Sequence, residues 1–202
     1  MVPQHLSHHT PITVSMHTVA AGGRYYAAPQ LDGLQPATWY TYRLDTSEQE
    51  QKGAHLQCFR TLDISVTDQS SRQETKASLR LVYGSCRKTD RPDIDALGTF
   101  ASWLLHRFEQ RETEWPHLLL LIGDQIYADE PSSAIIQKYP QLRGGARCFE
   151  DFALQHEYAW TQEEGVRQVL AIVPTFMIFD DHEILNDWNI SPRWRAEAIR
   201  RG

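Results

Sequence analysis

No stretch of this sequence is apolar for the roughly 20 residues that a membrane-crossing helix needs. The first residues, MVPQHLSHHT, have neither the basic start nor the apolar core of a signal peptide. These two absences argue against a membrane protein and predict a cytoplasmic protein by default. A periplasmic or extracellular location is expected instead if the true N-terminus is missing.

The sequence also lacks an excess of positive charge, since 20 Lys and Arg residues stand against 26 Asp and Glu residues. A broad nucleic-acid surface relies on surplus Lys and Arg, so none is predicted, and a phosphate-bearing partner must be held locally. Cysteine is scarce as well. Cys58, Cys86 and Cys148 are too widely spaced for a disulfide framework or a C-x-x-C zinc motif, which leaves at least one thiol for another role.

Residues 1–62 have the pattern of β-structure. The segments ITVSMHTV and ATWYTYRL alternate apolar and polar residues, and HLQCFRT predicts a last short strand. The Gly and Pro residues of LDGLQPATWY mark a corner between them, so we expect the edge of an antiparallel sandwich. Residues 63–78 are polar and lack periodicity, which is typical of a linker.

Residues 79–202 alternate predicted strands and helices, which is typical of an α/β fold. The predicted strands lie in LRLVYGSC, HLLLLIGDQ and TFMIFDDHE, and DALGTFASWLLHRFEQR predicts a helix. Each strand is apolar on both faces, as expected for central strands that are covered on each side.

Polar side chains follow all three apolar strands, and ligands of open α/β sheets bind at the carboxyl ends of the strands. The candidate site residues are Cys86, Arg87, Lys88, Asp124, Tyr127, Asp129, Glu130, Asp180, Asp181, His182, Glu183 and Asn186. So many carboxylates in one place would repel each other unless multivalent cations neutralise them. Asp and Asn oxygens suit hard cations, whereas Tyr and Cys suit Fe(III) or Zn, so two unlike metals, or one metal and a looser hard cation, are expected. A metal pair of this kind suits the hydrolysis of a phosphate ester.

Simpler interpretations exist for each residue taken alone. Cys86 and Tyr127 could be packing residues, and Asp124 could cap a helix. The run DDHE, residues 180–183, could be only the cap and acidic first turn of a helix. The occurrence of such residues at the ends of all three strands favours a site.

The motifs YGSCRK, GDQIYADE and FDDHEILNDW together resemble the PhoD-like (alkaline phosphatase D) family of calcineurin-like metallophosphoesterases, over roughly Leu79 to Trp188. The segment LDGLQPATWYTYRL, followed by CFRT, resembles the later strands of the fibronectin type III-like domain that precedes the catalytic domain in that family. The resemblance implies a partial fibronectin type III-like β-sandwich over 1–62 and the N-terminal part of a layered α/β phosphoesterase domain over 79–202. The family's remaining histidine ligands would lie beyond this chain, so a fragment is expected.

The resemblance also implies roles for individual residues. Asp124 would bridge two metal ions, Tyr127 and Cys86 would bind the iron-like ion, and Asp181 would bind the second. His182 would donate a hydrogen bond to the phosphoryl oxygen, and Arg87 would contact the substrate phosphate. Secondary candidates, for support of the ligands or for a calcium-like site, are Asp180 and Asn186.

The predicted function is metal-dependent hydrolysis of small-molecule phosphate esters, of alkaline phosphatase or phosphodiesterase type, by a metal-bound hydroxide. Fe(III) with Ca(II), or Zn(II), are the expected ions. The alternative is a truncated, catalytically inactive fragment that acts at most as a metal-binding or interaction module. A haloacid-dehalogenase-type phosphatase is disfavoured because no Asp-x-Asp-x-Thr element follows the first apolar strand.

Overall fold

The computed structural model describes residues 11–46, 49–50, 57–62, 79–88, 95–161, 164–187 and 191–201. The expected linker, residues 63–78, lies outside the described residues. In the part of the chain that is described, no helix combines the length and the apolar character that crossing a bilayer requires.

The secondary structure changes in type along the chain, from short strands to alternating strands and helices. The strands are β1 (Val19–Ala21), β2 (Arg24–Tyr26), β3 (Trp39–Thr41), β4 (Asp45–Thr46), β5 (Gln49–Glu50), β6 (Cys58–Arg60), β7 (Leu81–Gly84), β8 (Leu118–Ile122) and β9 (Thr175–Ile178). The helices are α1 (Ala96–His106), α2 (Arg111–Glu114), α3 (Ser133–Lys138), α4 (Phe149–Thr161), α5 (Glu164–Ile172) and α6 (Pro192–Arg201). Short 3-10 turns cover Phe108–Gln110, Pro140–Leu142 and Asp181–Glu183.

A parallel sheet of three strands in the order β7-β8-β9 is the centre of the α/β part. Leu81 pairs with Leu118 between β7 and β8, and Leu119 pairs with Thr175 between β8 and β9. The three strands therefore end at the same edge of the sheet, as the sequence predicted, and the mixed α/β architecture is confirmed.

One face of this sheet is covered by α1 and α5, which form the main core with it. Leu119 and Leu121 of β8 are buried there against Leu104 of α1 and Val169 of α5. Helix α1 begins at Asp95, whose side chain accepts a hydrogen bond from the Gly98 backbone N–H at 3.1 Å. Each fully buried aliphatic side chain stabilises the fold by about 1.5–3 kcal/mol relative to exposure.

The opposite face of the sheet is open among the described residues. Its side chains include Tyr83, Phe176 and Ile178, which are 68 %, 62 % and 65 % exposed. The expectation that all three strands are covered on both faces is therefore wrong for the described part of the chain. An apolar strand pattern indicates that a face can be buried, but a covering element must be present to bury it.

The expected β-sandwich over residues 1–62 is not found in the described residues. Instead, three separate antiparallel pairs form, namely β1 with β2, β3 with β6, and β4 with β5. Residues 12–18 of ITVSMHTV form no strand, and Ile12, Val14 and Met16 are exposed. Alternation specifies a half-buried strand only where a neighbouring strand accepts its hydrogen bonds and its apolar face finds cover.

The last short strand was predicted correctly, since CFR forms β6. Trp39 of β3 and Cys58 of β6 pack against the main core, so this pair is attached directly to the α/β part. Burial raises the pKa of the Cys58 thiol, which keeps it neutral in this position.

Candidate metal centre

The carboxyl ends of the three parallel strands bring the predicted site segments together. Backbone hydrogen bonds join the first two segments, because Cys86 N–H donates to the Gly123 carbonyl at 3.2 Å and Arg87 N–H donates to the Asp124 carbonyl at 2.7 Å. The third segment follows β9 as the 3-10 turn Asp181–Glu183. The three segments therefore meet at the carboxyl edge of the sheet, where the sequence analysis expected them to converge.

Asp124 occupies the middle of the site and is only 5 % exposed. Its backbone has a φ of 54°, after Gly123 with a φ of 93°, so the chain turns sharply where β8 ends. One carboxylate oxygen accepts from the His182 backbone N–H at 3.3 Å, and the other accepts from the Cys86 thiol at 3.4 Å. Asp124 thus contacts the segments that follow both neighbouring strands.

Asp124, Asp181 and His182 form a group suited to holding a metal ion. Each offers one ligand atom, and these atoms lie within 4.8 Å of one another. Two carboxylates and an imidazole, with the Cys86 thiol beside them, are donors that bind divalent or trivalent cations. The donor set therefore fits a bound metal ion.

Tyr127 lies against the imidazole of His182, with ring centroids 4.2 Å apart, and the Lys88 ammonium lies 4.9 Å from the Tyr127 ring centroid. Burial, and then the negative charges of neighbouring side chains, raises the pKa of the Tyr127 phenol to about 12. Tyr127 could therefore act as a phenolate ligand only beside a bound cation, because the positive charge of the cation would lower the pKa of the phenol.

His182 is oriented by Asp129, a residue to which the sequence gave no role. The Asp129 carboxylate contacts His182 Nδ1 at 3.0 Å, and its second oxygen accepts from the Asn186 backbone N–H at 2.8 Å. Burial alone lowers the pKa of His182, but the hydrogen bond and charge of Asp129 outweigh it, and the pKa is raised. Burial likewise opposes ionisation of Asp129, but the bonds from His182 and Asn186 prevail, and the pKa of this carboxyl falls.

Glu183 is a second residue whose role the sequence did not reveal. Its carboxylate accepts hydrogen bonds from four backbone N–H groups, those of Asp124, Gln125, Ile126 and Asp180. The first three belong to the loop after β8, whereas Glu183 follows β9. The side chain therefore ties two of the three site segments together.

The capping interpretation of DDHE holds for part of this run. The Asp180 side chain accepts from the Asp181 N–H at 3.0 Å, and Asp180 and Glu183 form a capping box around the 3-10 turn. Asp181 and His182 belong to the candidate metal group instead. Asn186, a secondary candidate, donates its backbone N–H to Asp129, and its side-chain amide contacts Asp187 at 3.4 Å.

The partners of the Arg87 guanidinium are residues outside the candidate metal group. It donates to both carboxylate oxygens of Asp95, at 3.1 and 2.5 Å, and to the Ala159 carbonyl at 2.6 Å. Its side chain is 8 % exposed. The predicted contact between Arg87 and substrate phosphate therefore stays a prediction, and the contacts seen here fasten the loop after β7 to α1 and α4.

The fold and the site define a mixed α/β protein with a candidate cation centre at the carboxyl ends of a parallel sheet. A family model described as PhoD-like phosphatase matches residues 81–197, which is more than half of the chain. The chain therefore belongs to the PhoD-like phosphatase family, and the resemblance seen in its sequence motifs is confirmed. Comparisons with curated proteins and with solved structures gave no significant match.

Proposed function

We propose that this chain belongs to a metal-dependent phosphoric ester hydrolase, of alkaline phosphatase or phosphodiesterase type, that acts on small-molecule phosphate esters. The supporting observation is the convergence of Asp124, Asp181 and His182, with ligand atoms within 4.8 Å of one another, in a member of the PhoD-like phosphatase family. A carboxylate-rich centre without cations would repel an anionic ester, so the proposal requires bound metal.

The residues that would hold the ions are those around Asp124. We assign Asp124 as the ligand shared by two ions, Tyr127 and Cys86 as ligands of an Fe(III)-like ion, and Asp181 as a ligand of the second ion. Fe(III) with Ca(II), or Zn(II), suits these donors. When bound, such ions supply a water molecule activated near neutral pH and neutralise the charge of the phosphoryl group.

His182 is the residue assigned to the developing charge on the phosphoryl oxygens. Its Nδ1 is held by Asp129 at 3.0 Å, which leaves Nε2 as the ring nitrogen available to substrate. An Nε2–H group at this position can donate a hydrogen bond to an anionic phosphoryl oxygen. For Arg87 we propose a structural role, because its guanidinium is engaged by Asp95 and the Ala159 carbonyl.

The experiment combines metal analysis with hydrolysis of p-nitrophenyl phosphate and bis-p-nitrophenyl phosphate. The chain is loaded with Fe(III) and Ca(II), or with Zn(II), as wild type, Asp124→Asn and Asp181→Asn. Both variants should lose bound metal and at least about 100-fold in activity, since each removes an anionic ligand. Asp32→Asn is the matched control, because Asp32 is exposed and contacts only Gln30 among the hydrogen bonds described.

Hydrolysis by wild type that is unchanged in both site variants would overturn the assignment. Metal bound by wild type without hydrolysis of either ester would instead support the alternative, a metal-binding or interaction module. The two substrates also separate monoesterase from diesterase activity, which the residues of the site leave open.

A further inference from the structure

The loop after β8 forms a concave row of backbone donors. Gly123 and Asp124 have φ values of 93° and 54°, and the N–H groups of Asp124, Gln125 and Ile126 all point at one carboxylate. Successive N–H groups in such a turn form an anion-binding nest, the kind of site that often holds a phosphate. In this protein the anion is supplied by the chain itself, as the side chain of Glu183.

The contact joins the loop after β8 to the turn after β9. The Glu183 carboxylate accepts from Asp124 N–H at 2.8 Å and from Asp180 N–H at 2.7 Å, and the first of these bonds spans 59 residues of sequence. Asp124 and His182 also meet directly through the 3.3 Å bond from His182 N–H to the Asp124 carboxylate. Glu183 therefore fixes the backbone on both sides of the Asp124 carboxylate.

A left-handed backbone at a non-glycine residue is retained only where surrounding contacts hold it. At the Asp124 backbone those contacts are the Glu183 carboxylate at its N–H and the Arg87 N–H at its carbonyl, the latter at 2.7 Å. Of these two, only the Glu183 contact is made by a side chain, so only it can be removed by substitution without changing the backbone.

We propose that Glu183 is a positioning residue that sets the metal affinity of this centre by holding Asp124 in its left-handed turn. The inference rests on the proposed function, because it assumes that Asp124 binds metal. Glu183 itself does not need to touch a metal ion or a substrate. It acts on the metal centre by accepting hydrogen bonds from the N–H groups of Asp124, Gln125 and Ile126.

The test compares wild type with Glu183→Gln, which keeps the size of the side chain but places an NH₂ group against backbone donors. Amide hydrogen exchange, read by NMR, should be at least about tenfold faster at Asp124, Gln125 and Ile126 in the variant. Titration with Mn²⁺ alone should show affinity at least about tenfold weaker, as found when residues that support metal ligands are replaced.

Glu157→Gln is the matched control, because Glu157 makes an exposed ion pair with Arg24 at 2.5 Å and contacts none of the site segments among the described hydrogen bonds. It should leave both measurements unchanged. If Glu183→Gln does not fold, Glu183→Asp provides the same comparison, since the shorter carboxylate should reach fewer of the N–H groups and give intermediate exchange rates and affinity.

Unchanged exchange at the three amides, or unchanged Mn²⁺ affinity beside a wild type that binds Mn²⁺, would overturn the inference. The same is true if Glu157→Gln reproduces both effects. A wild type that binds no metal would count against the proposed function and against the role of Glu183 in metal affinity, whereas the exchange measurement would still show whether Glu183 holds the nest.

Discussion

Gly123 lies where the loops after β8 and β9 approach each other so closely in space that a side chain is excluded. Its φ of 93° is a region that residues with a side chain rarely adopt, and a Cβ placed there would lie 2.5 Å from the Asp180 Cβ. The absence of a side chain at this position allows the loops after β8 and β9 to approach each other.

We expect Gly123→Ala to lower the free energy of unfolding by more than about 2 kcal/mol, because backbone strain adds to the clash with Asp180. Urea unfolding at neutral pH measures the loss. Gly23→Ala is the control, since Gly23 has a φ of 70° but a Cβ added to it would meet no atom within 4 Å. It should cost only the backbone strain, about 1–2 kcal/mol, and equal losses in the two variants would contradict the argument.

Some of the site residues could be predicted from sequence because the carboxyl ends of parallel strands must meet at one edge. That rule predicts that Cys86, Asp124 and His182 lie close together, and in the structure Asp124 contacts both of the others. It could not give the roles of Asp129 and Glu183, because their partners are distant in sequence and are chosen by the detailed path of two loops. It also could not show that Arg87 would find Asp95 as a partner.

At the scale of single elements, α1 is joined to the site through its cap. Asp95 caps the helix and also forms a largely buried ion pair with Arg87 of the loop after β7. Burial opposes ionisation of Asp95, but the hydrogen bonds from Arg87 and Gly98 outweigh it, so the pKa of this carboxyl is below its ordinary value. The Asp95 carboxylate therefore stabilises both the start of α1 and the position of the loop after β7.

The ion pair between Asp95 and Arg87 predicts that the free energy of unfolding falls at low pH. Because the pKa of Asp95 is lower in the folded than in the unfolded protein, the stabilisation is complete above the unfolded pKa of about 3.9 and is lost as pH falls through the folded pKa. Asp95→Asn keeps a good cap but leaves Arg87 unpaired, and should cost about 3 kcal/mol at pH 7.

Urea unfolding of wild type and Asp95→Asn between about pH 7 and pH 3 checks this prediction, and the difference between them should shrink only below about pH 4. Glu114→Gln is the control, because Glu114 pairs with Arg107 at 3.1 Å on the surface and should contribute less than about 1 kcal/mol. A difference that stays constant down to the lowest pH would refute a role for the Asp95 charge.

The elements that were predicted best from the sequence have a clear apolar pattern and also pack or pair with a neighbouring element. The apolar run LLLLI became β8 because strands pair with it on both sides, and Asp95 with its following apolar residues became α1. ITVSMHTV has an equally clear alternation but finds no partner strand over residues 12–18 in the described structure. Periodicity reports which face a strand would bury, not whether anything lies against it.

For the molecule as a whole, the open face of the sheet is the main exposed apolar feature described. Phe176 at 62 % exposure and Leu121 at 2 % lie on opposite faces of neighbouring strands. Apolar area of this kind binds hydrophobic dyes and favours association.

We expect Phe176→Thr to change the free energy of unfolding by less than about 0.5 kcal/mol, since the side chain is already exposed, and to reduce binding of the dye ANS. Leu121→Thr is the contrasting variant, because it removes a buried side chain from the covered face and should cost about 3 kcal/mol. Chemical denaturation and dye fluorescence measure both effects. A large loss in Phe176→Thr would mean that this face is covered in solution.

The parallel order β7-β8-β9 has a kinetic consequence for the metal centre. Parallel strands are joined by long crossovers, and contacts such as that between Glu183 and Asp124 close a loop of 59 residues. Such long-range pairing is slow, because the entropy of loop closure is lost before the contacts are gained. We therefore expect the ligands to come together late in folding, after the three strands have paired, so that the capture of a cation would report a nearly complete fold.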